Sequence, residues 1–288
     1  MINMDVIVNK ETQRERAKTF QELHQSDQLF VLGNAWDVTS AKIFEIEGYK
    51  AIGTTSAGIS STLGYPDGQI MSLEENMEVT KRIVDHVNIP VSADIEAGYS
   101  DSTEGVVASA KAVLEAGAVG LNLEDSTGNP EKPLFDLSVM IERIKAIREM
   151  AQSEGIHLVI NLRTDVCLLG LWDAKTCFEE AVKRGNTYRE AGADCVFVPD
   201  MGDMDKQTMK NLIQDIDAPI NIIAGDNTPP LAELEEIGIS RVSLGPRHMR
   251  AMLALLRNIA KEIAENGTYE LMSSDSLSYS EVNSWFEQ

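Results

Sequence analysis

The sequence predicts a single closed (β/α)8 barrel of the TIM type over residues 1–288, with a helix ahead of it and a helical extension behind. Three observations predict it. Eight short apolar runs each precede a helix-like segment, and that alternation implies βα units around a parallel sheet. The runs are apolar almost throughout, as strands covered on both faces are, rather than alternating in and out. Four joints repeat one phrase, a helix closing on Gly and then a strand: EGYKAIGTTS, AGAVGLNLED, AGADCVFVPD and IGISRVSLGP. Eight such units in one chain close into a barrel. An open doubly wound sheet is the competing architecture. It calls for G-x-G-x-x-G after the first strand, and that turn reads GNAWD.

Each element follows from a local signal. The charged stretch from Lys10 to His24 predicts a leading helix. Leu29–Gly33 is the first strand, and Asp37 caps a helix that ends near Gly48. Ala51–Ser56 is the second strand, opening into a loop over residues 57–69. Ser72 and Glu75 form a capping box for a helix running to about His86. The third strand, 91–95, enters through Pro90, where a ladder tolerates proline. Asp101 and Glu104 read as a second capping box, for a helix ending at Gly117. Gly120–Asp125 is the fourth strand, and the loop STGNPEKPLF leads to a helix over 136–152. Leu158–Asp165, Cys195–Asp200, Ile220–Gly225 and Arg241–Gly245 complete the strands. Helices are expected over 173–191, 206–214, 231–237 and 247–264, with a last one over 278–286.

The totals exclude several function classes. No run of apolar residues is long enough to span a bilayer, so no membrane partner is expected. The formal charge of −21 leaves little to gain from phosphate counterion release, so nucleic acid is not expected either. The 3 cysteines have no metal-like spacing, and the 4 histidines form no helical pair, so zinc is not supported. The charged N-terminus lacks the apolar core of a signal peptide, and 3 cysteines, too few for a disulfide framework, lead to the expectation of a reducing cytoplasm.

A barrel carries its chemistry on the C-terminal strand ends. Those positions read Thr55, Ser56, Ala57 and Asp67 after the second strand, then Asp94 and Glu96, then Glu124 and Asp125. Asn161, Arg163 and Asp165 follow on the fifth strand, then Asp200, Asp226 and Arg247. Residues i and i+2 of a strand share a face, so Asp94 and Glu96 leave their strand side by side. Like charges that close call for a cation, and an all-oxygen set with few direct ligands suits Mg2+, which keeps several waters. An arginine among the acids suits a substrate carboxylate, held bidentately. The same residues also read as solvated loop acids, and Arg163 with Asp165 as a structural ion pair. No lysine stands at a strand end and no G-x-S-x-G occurs, which removes Schiff-base and nucleophile-elbow chemistry.

From Leu29 to Ile263 the chain resembles the isocitrate lyase and phosphoenolpyruvate mutase superfamily, through TSAGISSTLGYPDG, SADIEAGYS, NLED and NLRTD in that order. The resemblance implies a barrel whose eighth helix is swapped onto a neighbouring subunit, hence a homo-oligomer, dimer or tetramer. It implies Mg2+, or Mn2+ in its place, held by Asp94, Glu96 and Glu124. Glu96 is a departure, since the family usually has Asp there. Thr55, Ser56 and Ala57 match the turn that binds the substrate's 2-oxo carboxylate. Arg163 matches the substrate-contacting arginine, and Asp67 the acid after the second strand. Asp67, Arg163 and Glu124 are thus the expected catalytic set.

The loop after the fourth strand departs from the family. The lyases carry Lys-Lys/Arg-Cys-Gly-His there and the mutases a lysine with an asparagine, whereas here it reads DSTGNPEKPLF, with Lys132 its basic residue. The expected activity is Mg2+-dependent carbon–carbon bond cleavage, as lyase, hydrolase or decarboxylase. Its substrate is a small 2-oxo or 2-hydroxy di- or tricarboxylate, with pyruvate, oxaloacetate or glyoxylate as product or substrate. The alternatives are phosphonomutase or phosphonopyruvate hydrolase chemistry at a P–C bond, and a non-catalytic carboxylate-binding barrel.

Overall fold

The computed structural model describes residues 9–199 and 204–287. It divides into two compact units, Met1–Gly245 and Pro246–Gln288. In the first, eight parallel strands close into a barrel in sequence order. They are β1 (Phe30–Ala35), β2 (Ile52–Thr54), β3 (Val91–Asp94), β4 (Gly120–Glu124), β5 (Val159–Arg163), β6 (Cys195–Phe197), β7 (Ile220–Ile223) and β8 (Arg241–Ser243). Around them run α1 (Lys10–Gln25), α2 (Val38–Ile46), α3 (Ser56–Leu63), α4 (Leu73–His86), α5 (Thr103–Glu115), α6 (Leu137–Glu154), α7 (Ala174–Ala191), α8 (Lys206–Asp215) and α9 (Leu231–Ile237). The second unit holds α10 (Arg247–Asn266), α11 (Glu270–Ser274) and α12 (Tyr279–Ser284).

The expected closed barrel is present, and the local signals account for most of its boundaries. Asp37 and Ser72 each form a reciprocal capping box, with Ser40 and Glu75. Gly155 and Gly192 stop α6 and α7 in the left-handed conformation, which glycine adopts without a Cβ clash. Three expectations are corrected. Residues 57–69 are not all loop, because α3 occupies Ser56–Leu63. Its small and hydroxyl residues suggest a turn, but Thr55 caps it and Ile59 is fully buried beneath it. The capping box at Asp101 does not form, because Ser102 is the N-cap and accepts from the Gly105 N–H. Between the expected helices over 247–264 and 278–286 stands a further short one, α11, that the sequence reading did not expect.

Register decides which side chains meet. Asp94 pairs with Asn122 across β3 and β4, and Asn122 with Asn161 across β4 and β5. One layer higher, Glu124 pairs with Arg163 and Arg163 with Phe197. Adjacent parallel strands lie ~4.8 Å apart, so these pairings bring the polar side chains within reach.

Two structures hold the β4 loop. Ser126 bridges Leu134 and the Thr127 N–H donates to the Pro133 carbonyl (2.9 Å), folding the loop back as a small hairpin. Lys132, on its exposed tip, is paired with Asp136 at 2.6 Å. Beneath it Asp125 is fully buried and accepts from Thr164 Oγ1 (2.9 Å), the Asp165 N–H (2.9 Å), Arg184 Nη1 (3.0 Å) and Tyr188 Oη (2.7 Å). Asp125 is therefore the structural neighbour of Glu124, tying the β4 and β5 ends to α7. Removing one member of a buried pair strands the other. Asp125→Ala is expected to lower unfolding stability by about 3–5 kcal/mol in urea titrations. Lys132→Ala, at an exposed pair, is expected to change it by less than about 1 kcal/mol.

Candidate active site

The C-terminal ends of β2 to β5 converge on one acidic centre. Asp94, the last residue of β3, is half-buried and anchored on both oxygens. Oδ2 accepts from the N–H and the hydroxyl of Ser56 (3.0 and 2.9 Å), and Oδ1 from Asn122 Nδ2 (3.0 Å). Of the expected substrate turn, Ser56 thus faces Asp94. Thr55 uses its hydroxyl to cap α3, accepting from the Gly58 N–H (3.4 Å). Ala57 is half-exposed in the first turn of α3, where N–H groups lack intrahelical partners.

Arg163 ends β5 between two acids. Nη1 meets Glu124 Oε2 at 2.8 Å, while Nε and Nη2 donate to the two oxygens of Asp165 (2.5 and 3.1 Å). The Arg163 side chain is 23% exposed and that of Asp165 only 3%. A substrate can reach the arginine, and Asp165 orients it from behind. Burial opposes the arginine's charge, yet Glu124 and Asp165 outweigh it and raise its pKa.

The carboxyls crowd one another. Glu124 is held well above the usual carboxylate range, first by burial, against the pull of Arg163, and further by Asp165, Asp94 and Glu96. Asp165 is raised by burial, against Arg163, with Asp125 and Asp94 adding to it. Asp67, at the rim, is raised by burial and by Asp94. Glu96 is pushed up to about 7 by burial, Asp94 and Asp67. Asp67, Asp94, Glu96, Glu124 and Asp165 therefore share one field, with Arg163 as the cation among them. Asp200 lies outside the described residues, Asp226 falls in the turn after β7, and Arg247 begins α10 in the second unit.

Glu96 sits in a strained clamp. Its φ is +49°, and the other non-glycine described residues at positive φ are Gln69 (+58°) and Tyr99 (+55°). All three bond to one another. The Gln69 N–H donates to Glu96 Oε2 (2.8 Å), Tyr99 Oη to Glu96 Oε1 (3.3 Å), and the Tyr99 N–H to Gln69 Oε1 (2.7 Å). Left-handed backbone at such residues costs on the order of 1 kcal/mol each and gathers at functional sites. Here it fixes the loop bearing Asp67 to the end of β3. Sequence reading singled out Glu96 but not Gln69 or Tyr99, and nothing in the amino-acid order signals their left-handed conformation.

Acids massed around an arginine at the C-terminal strand ends of a (β/α)8 barrel stand where such barrels carry their chemistry. The family model described as phosphoenolpyruvate phosphomutase matches residues 20–264, and the chain belongs to that family. An uncharacterized protein of Mycobacterium tuberculosis (strain H37Rv) is 33% identical over 86% of this chain and 89% of its own. The 2,3-dimethylmalate lyase of Eubacterium barkeri is 29% identical over 77% of each chain. Among solved structures, a putative lyase/mutase from Burkholderia cenocepacia J2315 superposes with a TM-score of 0.89 at 29% identity, covering 97% of this chain and 98% of that one. A phosphonopyruvate hydrolase solved with oxalate and Mg2+ has the same fold, with a TM-score of 0.82 at 22% identity over 94% of each chain.

The raised Glu96 pKa has a signed consequence. Between its ordinary 4.5 and about 7 the folded chain holds a proton that the unfolded chain has lost. This contribution to stability is therefore full below pH 4.5 and is lost as pH rises to about 7. Melting temperature in metal-free buffer is expected to fall across that window in the wild type and to fall less in Glu96→Gln. Parallel slopes in the two proteins would contradict the assignment.

Proposed function

We propose that the chain is a Mg2+-dependent carbon–carbon lyase, in the broad sense that includes hydrolase or decarboxylase variants. Its substrate is a small 2-oxo or 2-hydroxy di- or tricarboxylate, with pyruvate, oxaloacetate or glyoxylate on one side of the reaction. The observation that carries the reading is the Glu124–Arg163 pair one layer above the level of the anchored Asp94 on the neighbouring strand, with Glu96 and Asp67 sharing their field. A 2-oxo carboxylate is the ligand that needs both a cation and an arginine there.

The residues fit the ion. The donors are oxygens, and burial with mutual repulsion raises several of them. Among the described residues no three His, Cys, Asp or Glu side chains are grouped closely enough to hold an ion directly; Mg2+ retains several waters, through which more distant carboxylates can hold it. Asp94, Glu96 and Glu124 would hold it through those waters, and Mn2+ would serve in its place. The hydroxyl of Ser56 can turn and release a lone pair of Asp94 Oδ2 for one of them. Bound there, the ion would neutralise charge that develops on an oxo oxygen.

The remaining roles fall to this chain's own groups. Arg163 has further N–H donors on Nη1 and Nη2 for a substrate carboxylate. The first turn of α3, at Thr55, Ser56 and Ala57, would take the other carboxylate through the Ala57 N–H. Glu124, paired with Arg163 through Oε2, would have Oε1 left for the ion's waters or for a proton exchanged with the substrate. Asp67 at the rim would act as base or orient a water. Lys132 is engaged by Asp136 on an exposed hairpin, so a proton donor from that loop is not part of this reading.

P–C bond chemistry on phosphonopyruvate is the second reading, supported by the family description. A phosphonate carries more charge than a carboxylate and calls for more cations than Arg163. A substrate panel read by NMR with and without Mg2+ separates the readings. Metal-dependent loss of an alkylmalate, a methylisocitrate or oxaloacetate is the expected outcome, with Asp94→Ala lowering kcat/KM by about a thousandfold. Turnover of phosphonopyruvate alone would replace it with the phosphorus reading. Tight carboxylate binding with no product over hours would mean a binding barrel.

We further propose that the chain works as a homo-oligomer through α10. In the second unit Met252, Leu253, Leu255 and Leu256 are 47%, 41%, 51% and 59% exposed, more apolar surface than a solvated helix usually presents. Light scattering is expected to give a dimer or tetramer, and Leu256→Glu a smaller species. A wild-type monomer would contradict this.

A further inference from the structure

The interior of this barrel is polar where such interiors are usually filled by branched apolar side chains. Asn122, Asn161 and Asn221 are at most 8% exposed, Ser243 3% and Arg241 2%. They bond in series. Arg241 Nε donates to Ser243 Oγ (3.2 Å), Ser243 Oγ to Asn221 Oδ1 (3.1 Å), and Asn221 Nδ2 to Asn161 Oδ1 (3.3 Å). Asn161 Nδ2 then donates to Asn122 Oδ1 (2.8 Å), and Asn122 Nδ2 to Asp94 Oδ1 (3.0 Å).

The direction of this series is fixed at both ends. A guanidinium only donates and an ionised carboxylate only accepts. Ser243 receives from Arg241 and donates its own proton to Asn221. Each amide after it is then forced to turn its oxygen back and its NH2 forward, until the Asn122 NH2 faces Asp94. Reversing one amide alone would set two oxygens against each other at one of its joints and two NH2 groups at the other.

The far end is equally constrained. Arg241 has no carboxylate partner among the described residues; its Nη1 faces His24 Nε2 at 3.5 Å. His24 Nδ1 lies 2.8 Å from the Phe20 carbonyl, an acceptor only, so that nitrogen carries the hydrogen and Nε2 is the lone-pair side. Burial and Arg241 hold the imidazole neutral, with a pKa lowered to about 3. Burial lowers Arg241 to about 10, still charged at neutral pH, with Asp94 among the groups that favour its charge.

We propose that Asn122, Asn161, Asn221, Ser243 and Arg241 are positioning residues: a one-way chain of hydrogen bonds that fixes the Asp94 carboxylate for its ion and links it to a buried counter-charge. This rests on the reading of Asp94 as a holder of the metal. The chain acts by orientation. With Oδ1 occupied by Asn122, the carboxylate presents Oδ2 toward Ser56 and the mouth of the barrel.

The test uses the full chain and Mn2+ as the probe, with free Mn2+ counted by electron paramagnetic resonance. Asn161→Leu cuts the chain in the middle, and Ser243→Ala removes its directional lock with little change of volume. Outer partners of metal sites are worth about 10–100-fold in affinity. Asn161→Leu is expected to weaken Mn2+ binding by about tenfold or more, and Ser243→Ala by a smaller factor. Ile147→Val, a core change on α6 outside the chain, controls for lost stability and is expected to leave Mn2+ affinity unaltered. Folded Ser243→Ala or Asn161→Leu protein with wild-type Mn2+ affinity overturns the proposal.

A second readout is independent of the metal. In 1H–15N spectra the side-chain NH2 of Asn122 is expected to resist exchange with D2O in the wild type. Its resonances are expected to move in Ser243→Ala, which Asn122 does not touch. Failure of the wild type to bind Mn2+ would remove the metal reading, and the amide signals would then decide the chain alone. Unprotected or unmoved Asn122 signals overturn it.

Discussion

The register between β3, β4 and β5 is the constraint on which the site depends. It sets Asp94 beside Asn122 and Asn122 beside Asn161, and one layer higher it sets Glu124 beside Arg163. In a parallel sheet buried on both faces, a slip of one residue would turn every one of these side chains to the other face. The apolar positions that lock the register, such as Leu121, Leu123, Ile160 and Leu162, are all fully buried. Packing of the outer layer therefore fixes the geometry of the inner, polar one.

That inner layer carries two unfavourable burdens. Carboxyls are held close enough to raise one another, and the Arg241 guanidinium is buried with no carboxylate beside it among the described residues. Buried charge is tolerated only when it is hydrogen-bonded and compensated. The amide series, the Ser56 donors and the Arg163 fork provide the bonds, and a cation at the mouth would provide the remaining compensation. The positive-φ trio of Gln69, Glu96 and Tyr99 adds backbone strain at the same place. Strain, crowded charge and polar interior thus coincide at the strand ends that bear the acids.

Much of this was legible in the amino-acid order, for physical reasons. The eight βα units announce themselves through apolar runs and glycine stops, and acids at strand ends are visible as soon as the strands are. Asp94, Glu124 and Arg163 were identifiable on that ground, and register brings them together. Asp125 was not separable from Glu124 by sequence, because only the fold shows it buried under Arg184 and Tyr188. The helical start at Ser56 was hidden by small hydroxyl residues that suit turns equally well. The asparagines inside VINLR, GLNLE and INII did carry a signal, a polar residue in mid-strand two positions before an acid, an arginine or an isoleucine. Their linkage depends on which strands are neighbours and on which way each amide faces, and neither is written in a local segment.

On the function proposed above, crowded, anchored carboxylates at the ends of β3 and β4 would form the seat of a hydrated divalent cation facing Arg163. Crystals grown with Mn2+ and oxalate, the smallest chelating dicarboxylate, test it through the anomalous signal of manganese. The expected result is one strong peak near Asp94, Glu96 and Glu124, with ordered oxalate reaching Arg163. Ordered oxalate on Arg163 without manganese, or manganese bound only at remote surface acids, would contradict it.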